Sequence, residues 1–114
     1  MITFTEEQIG DNHARFMQII EDTFSEERAK KILDMYDHIG ERLYTAPASS
    51  FAQFHLPTIG GYLQHILNVI DTSEKVQEMF KSMGGVIDFT DEERIFAAMH
   101  HDLGKLGDED SEHY

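Results

Sequence analysis

The sequence has no cysteine, no tryptophan and only two prolines, and its nine lysines and arginines stand against 22 aspartates and glutamates. Without cysteine there is no disulfide framework, and every thiolate metal site is excluded. No apolar run approaches the roughly twenty residues that a membrane-crossing helix requires. The opening stretch MITFTEEQIGD has no basic region followed by an apolar one, so no signal peptide is expected there. These absences together predict an intracellular, cytoplasmic protein. The shortage of basic side chains leaves a formal net charge of −13. A surface that acidic repels phosphodiester backbones. Polynucleotide and anionic membrane partners are therefore disfavoured, and a locally basic cleft is the remaining route to the former.

What is present is a single-domain amount of apolar material: 114 residues, 40% of them hydrophobic. A chain of that size buries one modest core, roughly 60–70% of its unfolded surface. The apolar spacing is helical throughout, which predicts an all-α fold of about five helices. The first is expected from Thr5 to about Thr23, opened by a Thr5/Gln8 capping box, with Ile9, Phe16 and Ile20 on one face. Ser25 is expected to cap a second, carrying Ala29, Ile32, Leu33, Tyr36, Ile39 and Leu43. Tyr44 to Gly61 holds both prolines and a Gly60-Gly61 pair and reads as a loop. A third helix starts near Gly61 with Leu63, Ile66, Leu67 and Ile70. Ser73 is expected to cap a fourth, with Val76, Met79, Phe80 and Met83, ending at Gly84-Gly85. A second capping box, Thr90 and Glu93, opens the fifth, which runs into His100, His101 and Asp102 and is expected to break at Gly104.

Seven histidines without a cysteine direct attention to imidazole and carboxylate as metal ligands. On the third helix His65 lies about 150° from the centre of the Leu63–Ile70 stripe, beside Tyr62 and Val69, at about 100° per residue. It is either a hydrogen-bonded core histidine or a group pointing at a second neighbour. The stretch Met99-His100-His101-Asp102-Leu103-Gly104-Lys105 is the second feature. Histidines and a glycine suit a helix C-terminus, but an anion there is unfavourable unless a cation neutralises it. A metal ion would neutralise Asp102, and Lys105 would do part of it.

A histidine on a buried helix, followed 36 residues later by a His-Asp doublet at a helix end, resembles the HD superfamily of metal-dependent phosphohydrolases. The surrounding residues sharpen the resemblance. Tyr44-Thr45-Ala46-Pro47-Ala48, then His55, then Gly60-Gly61-Tyr62-Leu63-Gln64-His65 and finally His101-Asp102-Leu103-Gly104-Lys105 are similar to the subgroup of HD-type 3′→5′ exoribonucleases and related phage proteins. The match spans roughly Tyr44 to Lys105, about half the chain. It divides the single domain, 1–114, into two leading helices (1–43), a Pro/Gly loop (44–61), a motif region (62–105) and an acidic tail (106–114).

The resemblance implies an HD-like helical bundle in which His65, His101 and Asp102 hold a divalent ion: Mn, Fe, Ni, Mg or Zn. It implies catalytic roles for Asp102 and Lys105, with Lys105 contacting phosphate. Lys105 reads otherwise as a solvated loop lysine. His55 matches a loop histidine that contacts metal or substrate, and reads otherwise as a polar loop residue. His100 is expected to orient a ligand or to pack. His13 and His38 read as solvated, and Asp108, Glu109, Asp110, Glu112 and His113 as an acidic, solvated run. The implied activity is phosphomonoester or phosphodiester hydrolysis of a nucleotide or another small phosphate ester. The alternatives are a non-catalytic metal- or nucleotide-binding module and an acidic helical interaction protein. The family's fourth ligand is an aspartate on a later helix, whereas this sequence stops soon after Asp102. A piece of a longer protein, weak or inactive by itself, is therefore expected. With later helices missing, the apolar stripes of the third and fifth helices are expected to lie uncovered and to bring two copies together as a homodimer.

Overall fold

The computed structural model describes residues 3–47 and 59–106. It is all-α. The order is α1 (Glu6–Thr23), α2 (Glu26–Ile39), a short α3 (Arg42–Thr45), α4 (Gly61–Ser82) and α5 (Asp91–His100), followed by a 3-10 turn over Leu103–Leu106. No strand occurs among the described residues, and none of their helices is long and apolar enough to cross a membrane.

The starts of the helices follow local chemistry. The Gln8 backbone N–H donates to the Thr5 hydroxyl at 3.1 Å, and the Thr5 N–H donates back to Gln8 Oε1 at 2.9 Å. The same reciprocal pair, Thr90 and Glu93, opens α5 at 3.1 and 3.0 Å. The Thr90 N–H and the Thr90 hydroxyl both donate to the exposed Glu93 carboxyl and hold it below the usual carboxylate range. Ser25 Oγ accepts the Arg28 N–H at 3.3 Å and starts α2. Glutamates in the first turns of α1 and α2 face the positive ends of those helices.

Three expectations about boundaries are corrected. Leu43 does not continue α2. Gly40, at φ 69°, takes a conformation that side chains disfavour, and the chain turns there. Leu43 still reaches the core, 1% exposed, on α3. Tyr44 and Thr45 accordingly belong to that short helix rather than to a loop. Ser73 caps nothing, because the expected third and fourth helices are one helix of 22 residues. Its hydroxyl donates to the Ile70 carbonyl at 2.7 Å, a bond that lets serine sit inside a helix. Finally, α5 ends at His100, and Gly104 lies within the 3-10 turn with no left-handed backbone.

The core forms where α4 is enclosed by α1, α3 and α5. Leu63, Ile66 and Leu67 are at most 1% exposed and meet Phe16, Ile20, Leu43, Met99 and Leu106. The Leu63–Ile70 stripe is thus covered by the chain's own helices, contrary to the expectation that it lies bare. What stays exposed is the second half of α4, with Val76, Met79, Phe80 and Met83, together with Phe96 on α5. Across the top, the Tyr62 N–H donates to the Ala46 carbonyl at 2.9 Å and the Gly60 N–H to the Thr45 carbonyl at 3.3 Å. These bonds pin the start of α4 to the end of α3. Arg15 pairs with Asp71 at 2.5 Å, tying α1 to α4, and Arg28 pairs with Glu92, tying α2 to α5. The terminal turn is held by Arg42, whose Nη1 donates to the Leu106 carbonyl at 3.0 Å.

Gly60 permits this docking for two reasons. Its φ of 87° is left-handed, and a Cβ there would sit 2.9 Å from Ile9 Cγ1 on α1. Gly10, within α1, has open space around it. Two glycine-to-alanine changes should therefore act in opposite directions. Gly60→Ala is expected to lower unfolding stability by about 1–3 kcal/mol. Gly10→Ala is expected to raise it by about 0.5–1 kcal/mol through helix propensity. Urea midpoints of both variants check this.

Candidate metal centre

His65 stands one turn inside α4, on the flank away from the Leu63–Leu67 stripe. Burying that stripe against α1 fixes the helix rotation and turns His65 towards the end of α5. There His101 and Asp102 occupy the turn between α5 and the 3-10 segment. The three side chains converge. His65 Nε2 lies 3.3 Å from His101 Nε2 and 3.2 Å from Asp102 Oδ2, and His101 Nε2 lies 3.1 Å from the same oxygen. Neighbouring ligands at about 2.0–2.2 Å from one ion are separated by roughly this distance. No other group of three or more histidines and carboxylates converges this way among the described residues.

The protonation pattern can be read from the geometry. His101 Nδ1 faces the Ala98 carbonyl at 2.8 Å. A carbonyl only accepts, so Nδ1 donates to it, and in the neutral ring Nε2 is the nitrogen left to bind an ion. His101 Nε2 and Asp102 Oδ2 are 3.1 Å apart, close enough to share a proton or a cation. Lys105 Nζ, 3.5 Å from Asp102 Oδ2, supplies a share of positive charge from one side. The donor set, two imidazole nitrogens and a carboxylate oxygen, suits a divalent first-row ion. The side chains of His65 and Asp102 are each 22% exposed and that of His101 38%, so the cluster is open to water on one side.

The adjacent histidines part company. His100 turns inward: its Nδ1 donates to the Phe96 carbonyl at 2.8 Å, and its ring stacks on Tyr36 with centroids 5.8 Å apart. It packs and does not join the cluster. His13 is half-buried with its ring edge-on to Tyr44 at 5.4 Å, a correction to its reading as a plain solvated residue. His38 is exposed. His55 lies outside the described residues, as do Asp108, Glu109, Asp110, Glu112 and His113.

Two groups near the cluster carry no signal in the sequence beyond an apolar position. Tyr36 and Tyr62 are 3% and 1% exposed, and their hydroxyls have no hydrogen-bond partner. Burial pushes both phenols well above the usual tyrosine range, and the charge of Asp102 adds to the shift at Tyr62. A tyrosine inside a helical stripe looks like any large apolar residue until its hydroxyl is placed. No family model, curated protein or solved structure matches this chain, so the case for the site rests on its own geometry.

Burial lowers the His100 pKa below its ordinary 6.5, and the bond to the Phe96 carbonyl opposes that shift. The folded state therefore binds this proton less readily than the unfolded chain. The contribution of neutral His100 to stability is complete above pH 6.5 and is lost as the pH falls from there through the lowered folded value. Urea unfolding at stepped pH should show stability declining below that point. In His100→Gln that part of the slope should flatten.

Proposed function

We propose that the chain is a metal-dependent phosphohydrolase of the HD type, acting on a small phosphate ester. The observation that carries this reading is the triangle of His65 Nε2, His101 Nε2 and Asp102 Oδ2, with sides of 3.1–3.3 Å. It is reinforced by the carbonyl contact at Nδ1 that orients the His101 ring with Nε2 towards His65 and Asp102. A divalent ion bound there would lower the pKa of a coordinated water and offset charge on a phosphoryl group. The protein's own residues have distinct tasks. His65 on α4 and His101 in the turn after α5 offer imidazole nitrogen ligands, and Asp102 offers the negative charge that an ion needs in a partly buried place. The Ala98 carbonyl keeps the His101 ring from rotating. Lys105 stands beside Asp102 as a point charge suited to a phosphate oxygen.

The substrate carries few charges. A formal net charge of −13 works against a long polyanion, whereas a single phosphate needs only the local charge of the cluster and Lys105. The second reading, a binding module without turnover, draws on the same geometry. Among the described residues only three protein ligands converge, which leaves the remaining coordination positions to water.

Two measurements separate the readings. Calorimetric titration of the purified chain with Mn²⁺ should show specific binding that weakens at least about tenfold in His101→Ala. Lys105→Ala should leave that affinity within about twofold, since an exposed ion pair contributes little. Unchanged binding in His101→Ala contradicts the metal assignment. Hydrolysis of bis-p-nitrophenyl phosphate with Mn²⁺, Mg²⁺, Ni²⁺ or Fe²⁺ is expected to be weak, because misplacing the attacking group by about 1 Å costs roughly a hundredfold in rate. Asp102→Ala should abolish whatever turnover is measured. Metal binding without any turnover across metals and substrates favours the binding module.

A further inference from the structure

The groove between α4 and α5 has a chemistry that the triad does not use. Two adjoining cavities, of about 540 and about 720 Å³, share Val69, Ser73, Phe89 and Arg94 as walls. The smaller reaches His101 past Ala97 and Ala98, and the larger runs on past Val76 and Phe80 to Val86. Four shared wall residues make the two cavities neighbours along one groove, and His101 of the triad lines the smaller.

The groove is apolar and wet. Val76, Phe80, Val86 and Phe89 are between 43 and 84% exposed. Apolar surface left in water on this scale marks a place where something binds. Its exposed wall is mainly apolar, and two of its polar side chains are engaged with each other: Arg94 Nη1 donates to the Ser73 hydroxyl at 2.6 Å, while Asp88 and Glu93 stand at its edge. A largely apolar wall, a few polar groups and a volume of several hundred cubic ångströms describe a small-molecule site. Inorganic phosphate at the triad would leave this wall uncovered. A ligand with a phosphate at one end and an apolar body would cover both.

We infer that the α4/α5 groove seats the organic arm of the substrate, a phosphate ester whose alcohol carries a bulky, mainly apolar group. This rests on the reading of His65, His101 and Asp102 as a metal centre, because the triad is what fixes the phosphate end. The rival occupant is a second copy of the chain, which would bring a second formal charge of −13 against this face.

The test uses the 114-residue chain with Mn²⁺, titrated with inorganic phosphate, 1-naphthyl phosphate and 1-naphthol. The naphthyl ester should bind at least about tenfold more tightly than inorganic phosphate, given the apolar area it buries. Ala97→Phe narrows the groove beside His101, and Phe89→Asp places a charge on its wall. Both positions are exposed, so the fold should tolerate the changes. Each variant should remove the naphthyl gain and leave Mn²⁺ and inorganic phosphate affinities unchanged. A gain that persists in both variants, or that is missing from the parent chain, overturns the inference. Failure of Mn²⁺ to bind while 1-naphthol still binds, and is lost in both variants, sinks the metal reading alone and supports the groove as an apolar site. A dimer in sedimentation that dissociates in Phe89→Asp, with no naphthyl binding, assigns the groove to a second copy and overturns the inference.

Discussion

The structure depends on how the first half of α4 is buried. Leu63, Ile66 and Leu67 occupy one side of the helix and pack against α1, α3 and α5, and this sets its rotation. A helix is stiff, so fixing one face fixes all the others. His65 is carried to the opposite flank without any interaction of its own having to pay for it. The depth of α4 is set by Gly60, where α1 approaches too closely for a side chain, and by the backbone bonds from Tyr62 and Gly60 to Ala46 and Thr45. The position of the candidate site is thus a consequence of apolar packing, and only its chemistry belongs to the imidazoles.

The other half of the site is set by the way α5 stops. At the end of a helix the last carbonyls lack amide partners, and His101 uses one of them, that of Ala98, while His100 adds a second donor to the carbonyl of Phe96. His100 donates to Phe96 and His101 to Ala98, yet the two rings leave in different directions. One stacks against Tyr36 in the core and the other faces His65. Asp102 then enters a place where the negative end of the helix opposes its charge. Lys105 relieves that opposition in part, and a divalent ion would relieve it further. The convergence of two imidazole nitrogens on its Oδ2 distinguishes Asp102 from the many exposed carboxylates of an acidic chain.

Helix starts were legible in the sequence because caps are local. Thr5 with Gln8, Ser25, and Thr90 with Glu93 each act within three residues, and the structure shows each in the expected role. Boundaries that depend on competition were less legible. Ser73 looks like a cap, but its hydroxyl is satisfied by Ile70 and by Arg94 on α5, so the helix continues through it. Leu43 keeps the spacing of α2, yet the left-handed Gly40 sends it into a different helix with the same destination. The apolar stripe of α4 could be recognised, but not what covers it, since coverage comes from helices distant in sequence.

The sequence by itself determined the all-α class, the absence of thiolate ligands, the acidic surface and the two residue types, histidine and aspartate, able to hold an ion. These follow from composition and from periodicities of three to four residues, which need no knowledge of the rest of the chain. Only the tertiary structure decided that His65, 36 residues away, meets His101 and Asp102 at about 3 Å, and that His100 does not. It also decided that two adjoining, mainly apolar cavities lie between α4 and α5, the smaller lined by His101. The reason is that the crossing of two helices depends on the summed packing of many side chains, and no local pattern encodes that sum.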